Sequence, residues 1–199
     1  MQATESNLSR LSTFVRQMTV LTRDAGADEP AILARGTEHL SALIAHDDWL
    51  PDYCAQPHPE YYQQYLLHCD PEERFSVVSF VWGPGQTTPV HDHTVWGLVG
   101  MLRGKEIGRR FAFEGDRLVE QDSDILEPGQ IDAVSPSVGD IHSVANAYDD
   151  RVSISIHVYG GNIGKVRRHV FDIGTGQAKD FVSGYANDRL PNLWSQEHG

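Results

Sequence analysis

The sequence predicts a mainly β domain, a small antiparallel barrel or sandwich, with a helical layer at its N-terminus. Helical periodicity is confined to the first third of the chain. From Arg74 onward, β-branched and aromatic runs are cut every few residues by Gly and Pro turns, the pattern of many short strands. A length of 199 residues with 18 Gly and 10 Pro leaves room for one ordinary, turn-rich domain.

In chain order, Leu8, Leu11, Val15 and Met18 recur at three- and four-residue steps behind the candidate caps Ser6 and Asn7. Ile32, Leu33, Leu40, Leu43 and Ile44 follow Asp28-Glu29-Pro30, a helix-start signal. A third short helix is predicted after Pro59, carrying Tyr61, Tyr62, Gln64, Tyr65 and Leu66. Strands are predicted over Phe75 to Trp82, Thr94 to Leu102, Glu106 to Phe113, Arg151 to Tyr159 and Arg168 to Ile173, separated by Gly- and Pro-bearing turns. With no linker or repeat, the chain reads as one domain over 1–199: a helical layer over 1–70, a β core over 74–175 and a C-terminal extension over 176–199.

Charge narrows the partners. Sixteen Lys and Arg against 28 Asp and Glu give a net charge of −12, which repels phosphate backbones and anionic membranes. No apolar run approaches the roughly 20 residues of a membrane helix. The start Met1 to Ser6 lacks the basic and apolar segments of a signal peptide, so the expected location is the cytoplasm. Neither Cys54 nor Cys69 sits in a C-x-x-C or next to a histidine cluster. Chemistry therefore has to rest on the ten histidines.

His91-Asp92-His93 places two imidazoles two residues apart, on one face of a strand, near enough to share an ion. Two surface histidines on an edge strand would look the same. The surroundings favour an ion site: Gly85 precedes His91 by six positions and Gly104 follows the pair. This spacing resembles the first motif of the cupin superfamily, except that Gly97 stands where the motif has Glu. Pro136 to Asn146 resembles the second motif, with His142 as third ligand and Asn146 four residues on, its Pro-to-Gly spacing one residue longer than usual. The resemblance implies a cupin fold, a small antiparallel β-barrel or jelly roll. Without the Glu, three neutral imidazoles would leave a divalent ion its full charge, which favours an anionic ligand such as a thiolate, whose softness suits Fe(II). Three histidines also hold zinc.

In Ser155-Ile156-His157-Val158-Tyr159, alternation sets Ser155, His157 and Tyr159 on one face of a strand and Ile154, Ile156 and Val158 on the other. The polar face is either a hydrogen-bond relay or simply solvent-exposed. Together with His91, His93 and His142, these residues resemble the thiol dioxygenases, the cysteine dioxygenase family of cupins, and most nearly the bacterial branch acting on 3-mercaptopropionate. The resemblance extends to Asp47 to Pro51, Tyr62 to His68, Val78 to Gly85, Val95 to Gly97 and Arg189 to Trp194.

That resemblance implies one Fe(II) per chain, held by His91, His93 and His142. It implies a small thiol-carboxylate substrate oxidised with O2 to its sulfinate, and a relay of Tyr159, His157 and Ser155. Animal members have an arginine at the position of Gln64 for the substrate carboxylate, and a cysteine near Gly97 that cross-links to the tyrosine. Here the arginine's role passes to Arg168, with Gln64 and Tyr159 beside the substrate, and no cross-link can form. Arg167-Arg168 would otherwise be two surface charges. A noncatalytic small-molecule-binding cupin and a zinc-dependent hydrolase or lyase are the rival functions. His39, His46, His58, His68, His169 and His198 are read as structural, and Trp82 as core.

Overall fold

The computed structural model describes residues 7–194; the opening segment Met1 to Ser6 and His198 lie outside the described residues. Helix α1 (Ser9–Ala25) buries Leu11, Phe14, Val15, Met18 and Leu21, the predicted apolar stripe. Its N-cap is Leu8, without a side-chain cap, so the Ser6/Asn7 expectation is corrected by about one residue. Helix α2 (Glu29–Ile44) starts as predicted: Asp28 accepts the Ala31 N–H at 3.1 Å, and Pro30 sits in the first turn, where a missing N–H costs nothing.

The helical layer ends at α2. The segment predicted as a third helix is strand β1 (Gln63–Cys69). Its polar and aromatic side chains suit a pleated, half-buried surface, and the edge of β2 (Ser76–Trp82) supplies backbone partners from Gln63↔Val81 to Cys69↔Ser76. The remaining strands are β3 (Val90–His91), β4 (Gly97–Arg103), β5 (Glu106–Glu114), β6 (Arg117–Leu126), β7 (Ile131–Val134), β8 (His142–Asn146), β9 (Ser153–Tyr159), β10 (Arg168–Phe171) and β11 (Ala178–Phe181).

They form two antiparallel sheets, in the orders β1-β2-β9-β4-β7 and β11-β10-β3-β8-β5-β6. Strand alternation gives the first sheet two buried faces. Val77, Val81, Leu98, Ile154, Ile156 and Val158 pack against the helices in the main core, whereas Val78, Phe80, Trp82 and Tyr159 turn to a second cluster between the sheets. Each fully buried aliphatic side chain contributes roughly 1.5–3 kcal/mol, so the helical layer seals what would otherwise be an exposed apolar sheet face. The interior between the sheets holds polar groups, among them His91, His93, His142 and His157, beside this second cluster.

Candidate metal and substrate site

The antiparallel pairing of β3 with β8 brings together residues far apart in sequence, since His91 faces His142 across the ladder. β3 is only two residues long, so His93 lies just beyond it rather than at i+2 of one strand, as expected from the sequence. Thr94, the next residue, bends the chain in the left-handed region (φ 60°). The three rings stand 4.8–4.9 Å apart between centroids. One nitrogen from each lies within 4.8 Å of the others, and all three residues are buried.

Each ring's orientation has a cause. Asp140 accepts the His93 Nδ1–H at 2.9 Å and the His93 and Thr94 backbone N–H groups at 3.0 and 2.8 Å. That leaves His93 Nε2 buried and without a partner. His91 Nδ1 lies 3.0 Å from the Pro89 carbonyl, so its Nε2 is the free atom. Burial, reinforced by the neighbouring His93, pushes the His91 imidazole down to about 3 and His142 well below its usual range. Burial thus keeps His91 and His142 neutral, and the three rings bring one nitrogen each to a common point, a donor set suited to a divalent ion.

Strand β9 is buried along its whole length, so its polar face is not a solvent face. Ser155 Oγ lies 2.8 Å from His157 Nε2, and His157 Nδ1 lies 2.7 Å from the Tyr159 hydroxyl. Phe80 stacks on the His157 ring at 3.9 Å and fixes its plane. Burial keeps His157 neutral and raises the Tyr159 hydroxyl above its usual range, so the phenol keeps its proton. The Tyr159 ring stacks beside His93 at 5.3 Å, which joins the hydrogen-bond chain to the histidine cluster.

Arg168 is 3% exposed and so is not one of two surface charges; Arg167 takes that role, in an ion pair with Asp180. Arg168 Nη2 donates to Ser183 Oγ at 2.7 Å and the guanidinium lies over the Phe181 ring at 4.6 Å, while Nε is buried without a partner. Arg168 lies on β10, whose Val170 pairs with His91 of β3, and its charge acts on His91, Tyr62 and Tyr159. Gln64 faces Tyr62 and also has a buried, unpartnered Oε1. An unmade buried hydrogen bond costs about 1–3 kcal/mol, so each of these two atoms is a candidate contact for a polar ligand.

Three residues escaped the sequence reading. Asp140 orients His93 from 47 residues away, and nothing local to either residue signals the pairing. Asp92 accepts the His169 backbone N–H and ring Nδ1–H, each at 2.7 Å, tying β10 to the His91–His93 segment; His169 thereby acquires a partner that spacing could not show. Glu106 is a buried carboxyl group at the start of β5.

A model of the family described as cysteine dioxygenase type I matches residues 52–172. The chain is 27% identical over 129 residues to cysteine dioxygenase type 1 of Homo sapiens, covering 61% of this chain and 63% of that protein. It is 27% identical over 113 residues to the Bos taurus enzyme of the same name, covering 55% of each. The chain thus spans less than two thirds of the curated relatives it matches. Among solved structures, it is similar to a double-stranded β-helix domain protein of Klebsiella pneumoniae (TM-score 0.46, 18% identity, 59% of this chain and 93% of that one). It is also similar to a cupin superfamily protein of Desulfitobacterium hafniense (TM-score 0.44, 14% identity, 59% and 94%). No helix among the described residues is long and apolar enough to cross a membrane. The family match takes in more than half of the sequence, from the turn before β1 through all three clustered histidines to the end of β10, and the chain therefore belongs to the cysteine dioxygenase type I family.

Proposed function

We propose that this chain is an Fe(II)-dependent thiol dioxygenase that oxidises a small thiol acid, 3-mercaptopropionate in preference to cysteine, to its sulfinate (RSH + O2 → RSO2H). The observation that carries the reading is the buried, unpartnered Nε2 of His93 in a set of three buried imidazoles with no carboxylate among them. That donor set fits a divalent ion left with its full charge, which selects an anionic thiolate. Iron held by His91, His93 and His142 would supply the point at which substrate sulfur and O2 meet.

The chain's own residues do the rest. Arg168 holds the substrate carboxylate, presenting its open Nε, and Gln64 adds a neutral hydrogen-bonding group. Because Gln64 carries no charge, it gives an amino acid no advantage over a plain thiol acid. Tyr159, kept protonated by burial and oriented by His157 and Ser155, donates a hydrogen bond to the reacting ligands.

Anaerobic reconstitution with Fe(II), followed by O2 uptake with 3-mercaptopropionate, cysteine and cysteamine, tests the reading. The expected order of kcat/KM is 3-mercaptopropionate, then cysteine, then cysteamine. Cysteine better by tenfold, about 1.4 kcal/mol in transition-state binding, overturns the substrate preference. Absence of iron- and thiol-dependent uptake overturns the activity.

A further inference from the structure

The hydrogen-bond chain that reaches Tyr159 has a second end. Ser155 Oγ lies 3.2 Å from the Trp82 indole Nε1. An indole N–H only donates, so Ser155 accepts there, and its single hydroxyl hydrogen has to go elsewhere. Two groups compete for it. One is His157 Nε2. The other is Glu106, which reaches across from the second sheet, has Ser155 and Trp82 as the polar groups favouring its charged form, and is only 1% exposed with a buried Oε1 that lacks a hydrogen-bond partner.

We propose that Glu106 is a positioning residue for Tyr159, its carboxyl group deciding whether the chain of hydrogen bonds points the phenolic O–H toward the three-histidine site or away from it. The inference rests on the role given to Tyr159 above. With Glu106 neutral, its O–H donates to Ser155 and Ser155 donates to His157 Nε2. His157 then carries its hydrogen on Nδ1 and donates to the Tyr159 oxygen, leaving the Tyr159 O–H free for a ligand. With Glu106 charged, the carboxylate accepts the Ser155 O–H and Ser155 accepts from His157 Nε2–H. Tyr159 then donates back to Nδ1 and meets the site as an acceptor only. One proton leaves Glu106 for water in this exchange. The number of hydrogens on Ser155, His157 and Tyr159 does not change, only their positions.

The second face of Glu106 supplies that water. A cavity of about 420 Å³ is lined by Glu106, Gly108, Arg110, Asp132 and His142 and reaches the surface at the exposed Ile125. It borders the three-histidine cluster at His142, while Arg168 and Tyr159 are not among its lining residues. The space beside Gly108 is open, since a Cβ there would meet nothing within 4 Å. Burial raises the Glu106 carboxyl from 4.5 to about 7, so both states are populated near neutral pH. The charged and titratable groups around it are Arg110 on its own strand, Asp124 of β6, Asp132 of β7, His142 of β8 and His157 of β9. Arg110 is committed to Asp132, with Asp124 at 3.5 Å, and the shift of Glu106 comes from burial rather than from any of these charges.

The test reads the His157 tautomer by ring nitrogen NMR in the full chain, loaded with diamagnetic Zn(II), between pH 6 and 8.5. The expected result is an Nδ1–H imidazole at low pH that converts to Nε2–H with a midpoint near 7. In Glu106→Gln, whose amide donates to Ser155 at every pH, Nδ1–H persists throughout. Glu106→Leu, which can neither donate nor accept, also removes the conversion and serves if the Gln variant folds poorly. A wild-type tautomer that does not change over this range, or one that changes identically in both variants, overturns the proposal. In the iron-loaded enzyme, Glu106→Gln should flatten the pH dependence of kcat with KM unchanged and should add nothing in a Tyr159→Phe background, whereas additive losses would show a structural role. Because the NMR measurement needs no turnover, absence of dioxygenase activity would overturn the functional reading and still leave the Glu106 assignment decided.

Discussion

Gly97 of β4 lies directly opposite Tyr159 of β9, and a methyl group on Gly97 would stand 2.8 Å from the tyrosine ring. The missing side chain is what lets the ring lie flat beside His93. Gly97→Ala should push the ring away, lengthen the 2.7 Å contact with His157, and cost about 1–3 kcal/mol of stability as overpacking. Activity should fall at least tenfold. A melting temperature and turnover equal to wild type would contradict this. With glycine at 97, no sulfur reaches Tyr159, and denaturing electrophoresis should show a single species.

Asp140 should matter to the metal rather than to the substrate. Asp140→Asn keeps the shape but weakens the grip on His93 Nδ1–H, and orienting partners of this kind are typically worth 10–100-fold in metal affinity. Chelator competition measures the loss. An unchanged iron affinity would mean that backbone packing alone aims the His93 ring.

Arg168 should separate thiols by charge. Arg168→Ala is expected to raise KM for 3-mercaptopropionate and cysteine by tenfold or more, and to leave cysteamine, which has no carboxylate, nearly unaffected. Iron content should not change. Equal damage to all three thiols would assign Arg168 to packing against Phe181 and Ser183 instead.

Glu106 carries a stability signature independent of catalysis. Its folded-state carboxyl is raised from 4.5 to about 7, so the folded form binds the proton more tightly than the unfolded form. The stabilisation from the neutral group is fully present below about pH 4.5 and is lost as pH rises through 7, a change of about 3 kcal/mol. Glu106→Gln, which never ionises, should therefore melt several degrees above wild type at pH 8, with the gap closing toward pH 5. A gap that does not vary with pH would contradict the buried, titrating carboxyl.

The sequence was most legible where a period or a spacing carries the signal. The apolar stripes of α1 and α2 were readable, and the alternation of β9 set Ile154, Ile156 and Val158 on one face and Ser155, His157 and Tyr159 on the other, although periodicity alone could not say which face was wet; the structure turns the first set to the helices and buries the second. His91, His93 and His142 were identifiable from motif spacing. Strand β1 was misread because Tyr61, Tyr62, Tyr65 and Leu66 fit a helical period, and the open edge of β2 that claims Tyr65 and Leu66 cannot be seen locally. Strand β6 was missed because Arg117–Leu126 lies at the sheet edge and is mostly polar, with little alternation to read. Asp140, Asp92 and Glu106 were illegible for a different reason, since each acts on a partner brought near only by the fold.

Turnover of the iron-loaded protein with 3-mercaptopropionate under ¹⁸O2 tests the central claim most directly. The account predicts one O2 consumed per thiol, both labelled atoms in the sulfinate, and loss of iron and turnover together in His142→Ala. Sulfinate carrying a solvent oxygen, or full iron and turnover in His142→Ala, would contradict it.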